Sequence, residues 1–167
     1  MAIMATGSTP AIRAATRAAV AHRVHAYRHD PRAESYGAEA VEALAAELGV
    51  GAEQIFKTLV VELSTGTLAV AVVPVPRRLS LRAAAAALGA SKAVLADRTR
   101  AEKTTGYVLG GISPLGQRKR LRTVIDDSAL LWDRVLCSAG RRGLEIELTP
   151  AALIQLTGAT TAPLACE

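Results

Sequence analysis

Ile55-Phe56-Lys57-Thr58-Leu59-Val60-Val61-Glu62-Leu63-Ser64-Thr65-Gly66-Thr67-Leu68-Ala69-Val70-Ala71-Val72-Val73-Pro74-Val75 is the stretch that decides the fold class of this chain. Ile55 to Leu63 is a β-rich apolar run, Thr65-Gly66 supplies a turn, and Leu68 to Val75 returns as a second strand. The two runs are too close for a helical crossover, so they pair as an antiparallel hairpin. Further strand candidates lie outward: Val24 to His29, closed by Asp30-Pro31, then Thr123 to Ile125, Val135 to Ser138 and Leu144 to Leu148. Gly140-Arg141-Arg142-Gly143 is the turn between the last two. Helices fall between them. Thr9-Pro10 caps one that runs to about Ala21, and a second spans Ala38 to Leu48 with Gly49 as its stop. Ser80 caps the alanine-rich segment Leu81–Leu88, Asp97 caps a helix to about Lys103, and Thr149-Pro150 caps a last one that ends before Gly158. Strands and helices are interspersed, yet several strand pairs lie close together, which predicts a mixed α+β domain rather than a doubly wound sheet.

At 167 residues the chain is long enough for one domain with a real core. Half its residues are apolar but only 3% are aromatic, so that core is aliphatic. Residues 1–8 read as an N-terminal tail, 9–160 as the domain and 161–167 as a C-terminal tail. The formal charge of +5 favours an anionic partner, although a merely soluble basic surface explains it as well. Two cysteines give no disulfide framework. Cys137 sits in an apolar strand and reads as core, and Cys166 as a tail residue. The N-terminus lacks the charged-then-apolar pattern of a signal peptide, and no apolar run reaches membrane-spanning length. The simplest expected location is the cytoplasm.

Lys57 is the first candidate for chemistry. A cation inside an apolar strand either borders a cleft or snorkels to water. The second is the segment Gly110-Gly111-Ile112-Ser113-Pro114-Leu115-Gly116, in which glycines let backbone N–H groups approach a ligand. It is neither a nucleophile elbow nor a Walker loop, because the spacings differ. His22, His25 and His29 are spaced three and four apart, but no second cluster completes a metal site. Arg118, Lys119 and Arg120 after the loop, and Arg141 and Arg142 in the turn, are either solvated charges or contacts for phosphates.

Three segments together carry a resemblance. They are His25-Ala26-Tyr27-Arg28-His29-Asp30, the Lys57-Thr58-Leu59 setting and Gly110-Gly111-Ile112-Ser113-Pro114. With them the chain resembles the YbaK family of aminoacyl-tRNA deacylases, which is similar to the editing domain of bacterial prolyl-tRNA synthetases. The resemblance runs from about Thr9 to Gly158. It implies one α+β domain with a curved mixed β-sheet flanked by helices. It implies a site in which Lys57, Gly110 and Gly111 act on the ester, and Tyr27, Tyr36, Ile112, Ser113 and Glu145 bind the substrate. The family commonly has phenylalanine at the Tyr36 position and aspartate at the Glu145 position. The basic residues Arg118, Lys119, Arg120, Arg141 and Arg142 would contact tRNA.

The activity implied is hydrolysis of Cys-tRNA(Pro), with the substrate's own thiol attacking its ester. No metal or organic cofactor is implied, and prolyl-tRNA synthetase is a partner expected from the family. Two alternatives stay open: a deacylase for Ala-tRNA(Pro), and a non-catalytic tRNA- or synthetase-binding module. Oligomeric state is not legible.

Overall fold

A computed structural model describes residues 3–4, 8–32 and 35–167. In chain order its strands are β1 (Ile3–Met4), β2 (Arg23–Ala26), β3 (Phe56–Leu63), β4 (Leu68–Pro74), β5 (Arg78–Leu79), β6 (Ala93–Leu95), β7 (Arg122–Asp126), β8 (Val135–Arg141), β9 (Leu144–Leu148), β10 (Thr160–Ala162) and β11 (Ala165–Cys166). The α-helices are α1 (Pro10–Arg17), α2 (Tyr36–Leu48), α3 (Leu81–Ala87), α4 (Arg98–Thr105) and α5 (Pro150–Thr157).

The hairpin forms as its sequence dictates, with β3 and β4 antiparallel and Lys57 opposite Val73. Around it a five-stranded sheet is ordered β10-β7-β4-β3-β6, with β7 and β10 parallel to their neighbours. A second, four-stranded sheet is ordered β1-β2-β9-β8 and is antiparallel throughout. The class is α+β, in one domain, with the strands divided between two main sheets. A parallel bridge between Ile55 and Leu136 links them.

One aliphatic core joins Phe56, Val60, Val70 and Val72 of the first sheet to Cys137, Leu144 and Ile146 of the second. Val61, Ala69, Ala71 and Val73 face the other way and pack under α3. A third, smaller cluster sets Ala40 of α2, with Val41, Ala45 and Leu48 beside it, on Val50, Ile55 and Leu136. Burial of branched side chains on both faces of β4 explains its unbroken apolar run.

Several boundaries differ from the sequence reading. α1 ends at Arg17 rather than near Ala21, because Ala19 turns left-handed at φ 56° and the Val20 amide closes back on Ala15. β2 stops at Ala26 instead of His29, although the Tyr27 amide still donates to Gly143 O at 2.9 Å. α2 starts at Tyr36, two residues early, capped by Ser35, whose hydroxyl accepts from the Ala38 amide.

The expected tail 161–167 is instead built into the fold. β10 pairs with β7, β11 with β5, and Leu164 is fully buried. Asp126 holds it there, accepting from the Leu164 and Ala165 amides at 2.8 and 2.9 Å. The expected tail 1–8 lies mostly outside the described residues; Ile3–Met4 pairs with β2.

Candidate active site

A cleft of about 190 Å³ opens where the start of β3 meets α2 and the outer face of the second sheet. Phe56, Lys57, Thr58 and Leu59 form its floor, Tyr36, Gly37 and Ala40 come from α2, and Leu109, Gly110 and Ile112 come from the glycine loop. Tyr27, Ser138 and Glu145 close the remaining side. The strands bring these three together: Glu145 stands opposite Ser138 on β8 and opposite His25 on β2, two residues before Tyr27.

Lys57 borders this cleft. Its Nζ donates to Val75 O at 3.3 Å, and burial pulls its pKa below the ordinary lysine value. A partly desolvated ammonium with donors to spare suits a developing oxyanion or a phosphate. Thr58 also lines the cleft, and its Oγ1 is buried without a hydrogen-bond partner.

Glu145 is 5% exposed, and desolvation raises its pKa to about 8. The Tyr27 phenol is likewise shifted upward, first by burial and then by the negative charge of Glu145. Glu147, two residues along on the same face, is paired on both oxygens: His25 Nε2 lies at 2.9 Å and Arg134 Nη1 at 3.1 Å.

The glycine loop differs from what was expected of it. Gly110 lines the cleft at φ +87°, but the Gly111 amide donates to Val108 O at 2.9 Å inside a turn. Gly111 is buried outside the cleft; a Cβ there would lie 2.6 Å from the Arg141 Cα. Its glycine is required by the close passage of the β8–β9 turn rather than by a ligand. Ser113 is fully buried outside the cleft too, and its Oγ accepts from the Leu115 amide at 3.2 Å. Tyr27, Tyr36, Lys57, Gly110, Ile112 and Glu145 are thus brought together, and Gly111 and Ser113 are not.

Arg142 reaches the rim. Its guanidinium stacks 4.3 Å from the centroid of Tyr36, and its Nε donates to Leu109 O at 2.9 Å. Arg141 is exposed beside it. Arg118, Lys119 and Arg120 are exposed after the loop. Lys119 and Arg120 line a separate basic hollow of about 370 Å³ with Arg100 and Arg122, at the turn of the β3–β4 hairpin.

The three histidines part company. His22 contacts Val20 O, His25 pairs with Glu147 and His29 with Glu39. Among the described residues no group of His, Cys, Asp and Glu could hold a metal ion. Nor is any helix among them long and apolar enough to cross a membrane. Cys137 is fully buried, and desolvation pushes its thiol pKa well up.

A family model described as an aminoacyl-tRNA editing domain matches residues 36–156. The chain belongs to this family. Its matched span starts on Tyr36 and takes in Lys57, Gly110 and Glu145; Tyr27 lies outside it. A protein of Enterococcus faecalis, provisionally named Cys-tRNA(Pro)/Cys-tRNA(Cys) deacylase EbsC, is 41% identical over 117 residues, which is 70% of this chain and 71% of that protein. A crystal structure provisionally described as a trans-editing enzyme for prolyl tRNA synthetase superposes with a TM-score of 0.80 at 26% identity, covering 97% of this chain and all of that one. That of a hypothetical protein superposes at 0.81 with 26% identity, over 95% and 100%. As a member of the editing family the protein is an aminoacyl-tRNA deacylase.

Sequence reasoning missed several cleft residues of this editing domain: Phe56, Thr58, Leu59, Leu109 and Ser138. Ser138 had a usable signal. With a tight turn at Gly140–Gly143, antiparallel register brings it opposite Glu145. Thr58 had none, because alternation puts its side chain on the opposite face from Lys57.

Proposed function

We propose that this deacylase hydrolyses cysteine from mischarged tRNA(Pro), with the substrate's thiol as the nucleophile. The observation that carries this reading is a cleft with a cation and no activated nucleophile of its own. Ser138 is its one serine, and that hydroxyl already accepts from the Gly140 amide at 3.2 Å. Neither cysteine lines the cleft. An internal thiol has the advantage of an intramolecular reaction and is a good nucleophile near neutral pH.

In the proposed step, the cysteinyl sulfur attacks its own ester carbonyl carbon after losing its proton. Lys57 stabilises the oxyanion that forms. Collapse breaks the bond to the ribose oxygen, which takes up a proton, and releases tRNA and a β-thiolactone. Water then opens the thiolactone to cysteine. The name of the E. faecalis relative, at 41% identity, supports the substrate class.

Arg118, Lys119, Arg120, Arg141 and Arg142 are the proposed tRNA contacts. The basic hollow lies six residues along β3 from Lys57, on the order of 20 Å at strand rise, within reach of the phosphates that follow an unpaired acceptor end. Action on charged tRNA places the protein in the cytoplasm in this reading, with prolyl-tRNA synthetase as a partner by analogy to the trans-editing relative. Deacylation of tRNA charged in turn with cysteine, alanine, serine and proline tests it. Preference for cysteine supports the proposal, preference for alanine supports an alanine-editing enzyme, and cleavage of none supports a binding module.

A further inference from the structure

The cleft carries one acidic side chain, and that side chain has no partner. Glu145 is 5% exposed, yet no hydrogen bond or ion pair satisfies its carboxyl among the described residues. Glu147 on the same strand face shows what a structural acid looks like here, with both oxygens engaged. The side chain is desolvated while its carboxyl oxygens open to the cleft, and a carboxyl held this way at the wall of a binding cleft points to a ligand that completes it.

The remaining polar lining narrows that ligand. Tyr27, Tyr36 and Ser138 bring neutral hydroxyls, and Lys57 is the one cation lining the cleft. Lys57 and Glu145 are not in ion-pair contact. The cleft therefore sets an ammonium and a carboxyl at separate points, and a cation arriving beside Glu145 favours its ionised form. An aminoacyl ester on tRNA has the matching polarity. Its single cation is the α-ammonium, one carbon from the ester carbonyl, and every other charge lies on the phosphates beyond. One orientation satisfies both ends: the ammonium toward Glu145, the ester and ribose toward Lys57. The reverse sets ammonium against ammonium.

We propose that Glu145 binds the α-ammonium group of the aminoacyl ester, so that the enzyme requires a free amine as well as a fitting side chain. This rests on the deacylase reading and deepens it. The α-amine orients the ester, and a substrate whose nitrogen is acylated brings no cation to Glu145. Peptidyl and formylated aminoacyl esters are then rejected by charge. The burial of Glu145 makes this discrimination strong, since an unpaired desolvated carboxyl penalises every ligand that fails to satisfy it.

The test compares tRNA carrying cysteinyl, N-acetylcysteinyl and 3-mercaptopropionyl groups in single-turnover cleavage by the unaltered protein and by Glu145→Gln. The mercaptopropionyl ester keeps the thiol and lacks only the amine, so bulk cannot exclude it. An alanyl and propionyl pair serves the same purpose if alanine is the preferred side chain. The unaltered protein should cleave the amine-bearing ester roughly ten- to a hundredfold faster than its deamino analogue, the factor expected for one charge-assisted hydrogen bond. Glu145→Gln should bring the two rates to within about threefold, on that same scale. Equal rates for the unaltered protein, or full preference retained in Glu145→Gln, would overturn the proposal and leave the deacylase reading intact. Should the variant fail to fold, the ratio in the unaltered protein, divided by the ratio for uncatalysed hydrolysis of the same esters, still decides, and a corrected ratio near one overturns the proposal. Failure to cleave any free aminoacyl-tRNA would overturn both.

Discussion

Gly110 rests against the ring of Tyr36 so closely that a methyl group on its Cα would lie 2.6 Å from Cδ2. The same methyl would lie 2.8 Å from Arg142 Nε, which is itself engaged with Leu109 O. At φ +87° the position is also strained for any residue with a side chain. Gly110→Ala should therefore push Tyr36 and Arg142 outward and open the cleft wall. We expect kcat/KM for charged tRNA to fall by about ten- to a hundredfold, as small misplacements of a site do. The thermal midpoint should drop by only a few degrees, consistent with ~1–2 kcal/mol. An alanine variant with unchanged kcat/KM would show that this wall does not position substrate.

Lys57→Ala should lower single-turnover deacylation on the order of a hundredfold, the loss expected when a group that stabilises developing charge is removed. Stability should hold or improve slightly, because Lys57 is desolvated and its one hydrogen bond is to Val75 O. Near-normal turnover by folded Lys57→Ala would remove it from the chemistry.

What the sequence made legible follows from how local the determining physics is. The β3–β4 hairpin, the Ser80, Asp97 and Thr149 caps and the Gly49 and Gly158 stops are set by neighbours in the chain, and all form as read. β11 and its anchoring by Asp126 depend on a contact 38 residues away, and no local pattern announces it. The glycine loop divides in the same way. Two adjacent glycines look equivalent in sequence, but Gly110 answers to Tyr36 and Gly111 to the backbone of Arg141. Only the fold separates the one that shapes the cleft from the one that lets the β8–β9 turn pass.

Glu145 should make stability fall as pH rises. Its ordinary value is 4.5, and burial raises it to about 8 in the folded protein. The folded state thus binds the extra proton between those values. The contribution is fully present below 4.5 and is lost as pH passes through 8. Around it stand Tyr27, whose pKa is raised, Ser138 and His25 on the flanking strands, the paired Glu147, and Lys57 across the cleft. Denaturant titrations should show the unaltered protein losing stability from pH 5 to pH 9 relative to Glu145→Gln. Parallel curves for the two proteins would mean that Glu145 is ionised throughout.

Neutralising Arg118, Lys119 and Arg120 together should weaken binding to all tRNAs alike. These side chains are exposed, and two of them line the basic hollow with Arg100 and Arg122. Each lost phosphate contact should flatten the slope of log affinity against log salt by roughly 0.7 to 0.9. An unchanged salt slope would reduce the cluster to solvated surface. Selective loss for one tRNA would instead indicate a base-reading role.

Cysteinyl-tRNA and seryl-tRNA separate the chemistry from the pocket. The two esters differ by sulfur against oxygen, so a cleft of about 190 Å³ has little means to sort them by size. Their side chains differ greatly as internal nucleophiles, because a thiol ionises near neutral pH and a hydroxyl does not. If the substrate supplies the nucleophile, cysteinyl-tRNA should react faster by orders of magnitude while the two bind with similar affinity. Cys137→Ser should leave that rate largely intact, since the thiol is buried away from the cleft and its pKa is pushed well up. Ser113→Ala should do the same, because its hydroxyl only accepts a bond within its own turn. A thiolactone trapped by hydroxylamine or by an added amine would identify the intermediate. Equal rates on the two esters, or a covalent adduct on Ser138, would place the nucleophile on the protein and end the substrate-thiol mechanism, with the deacylase assignment unaffected.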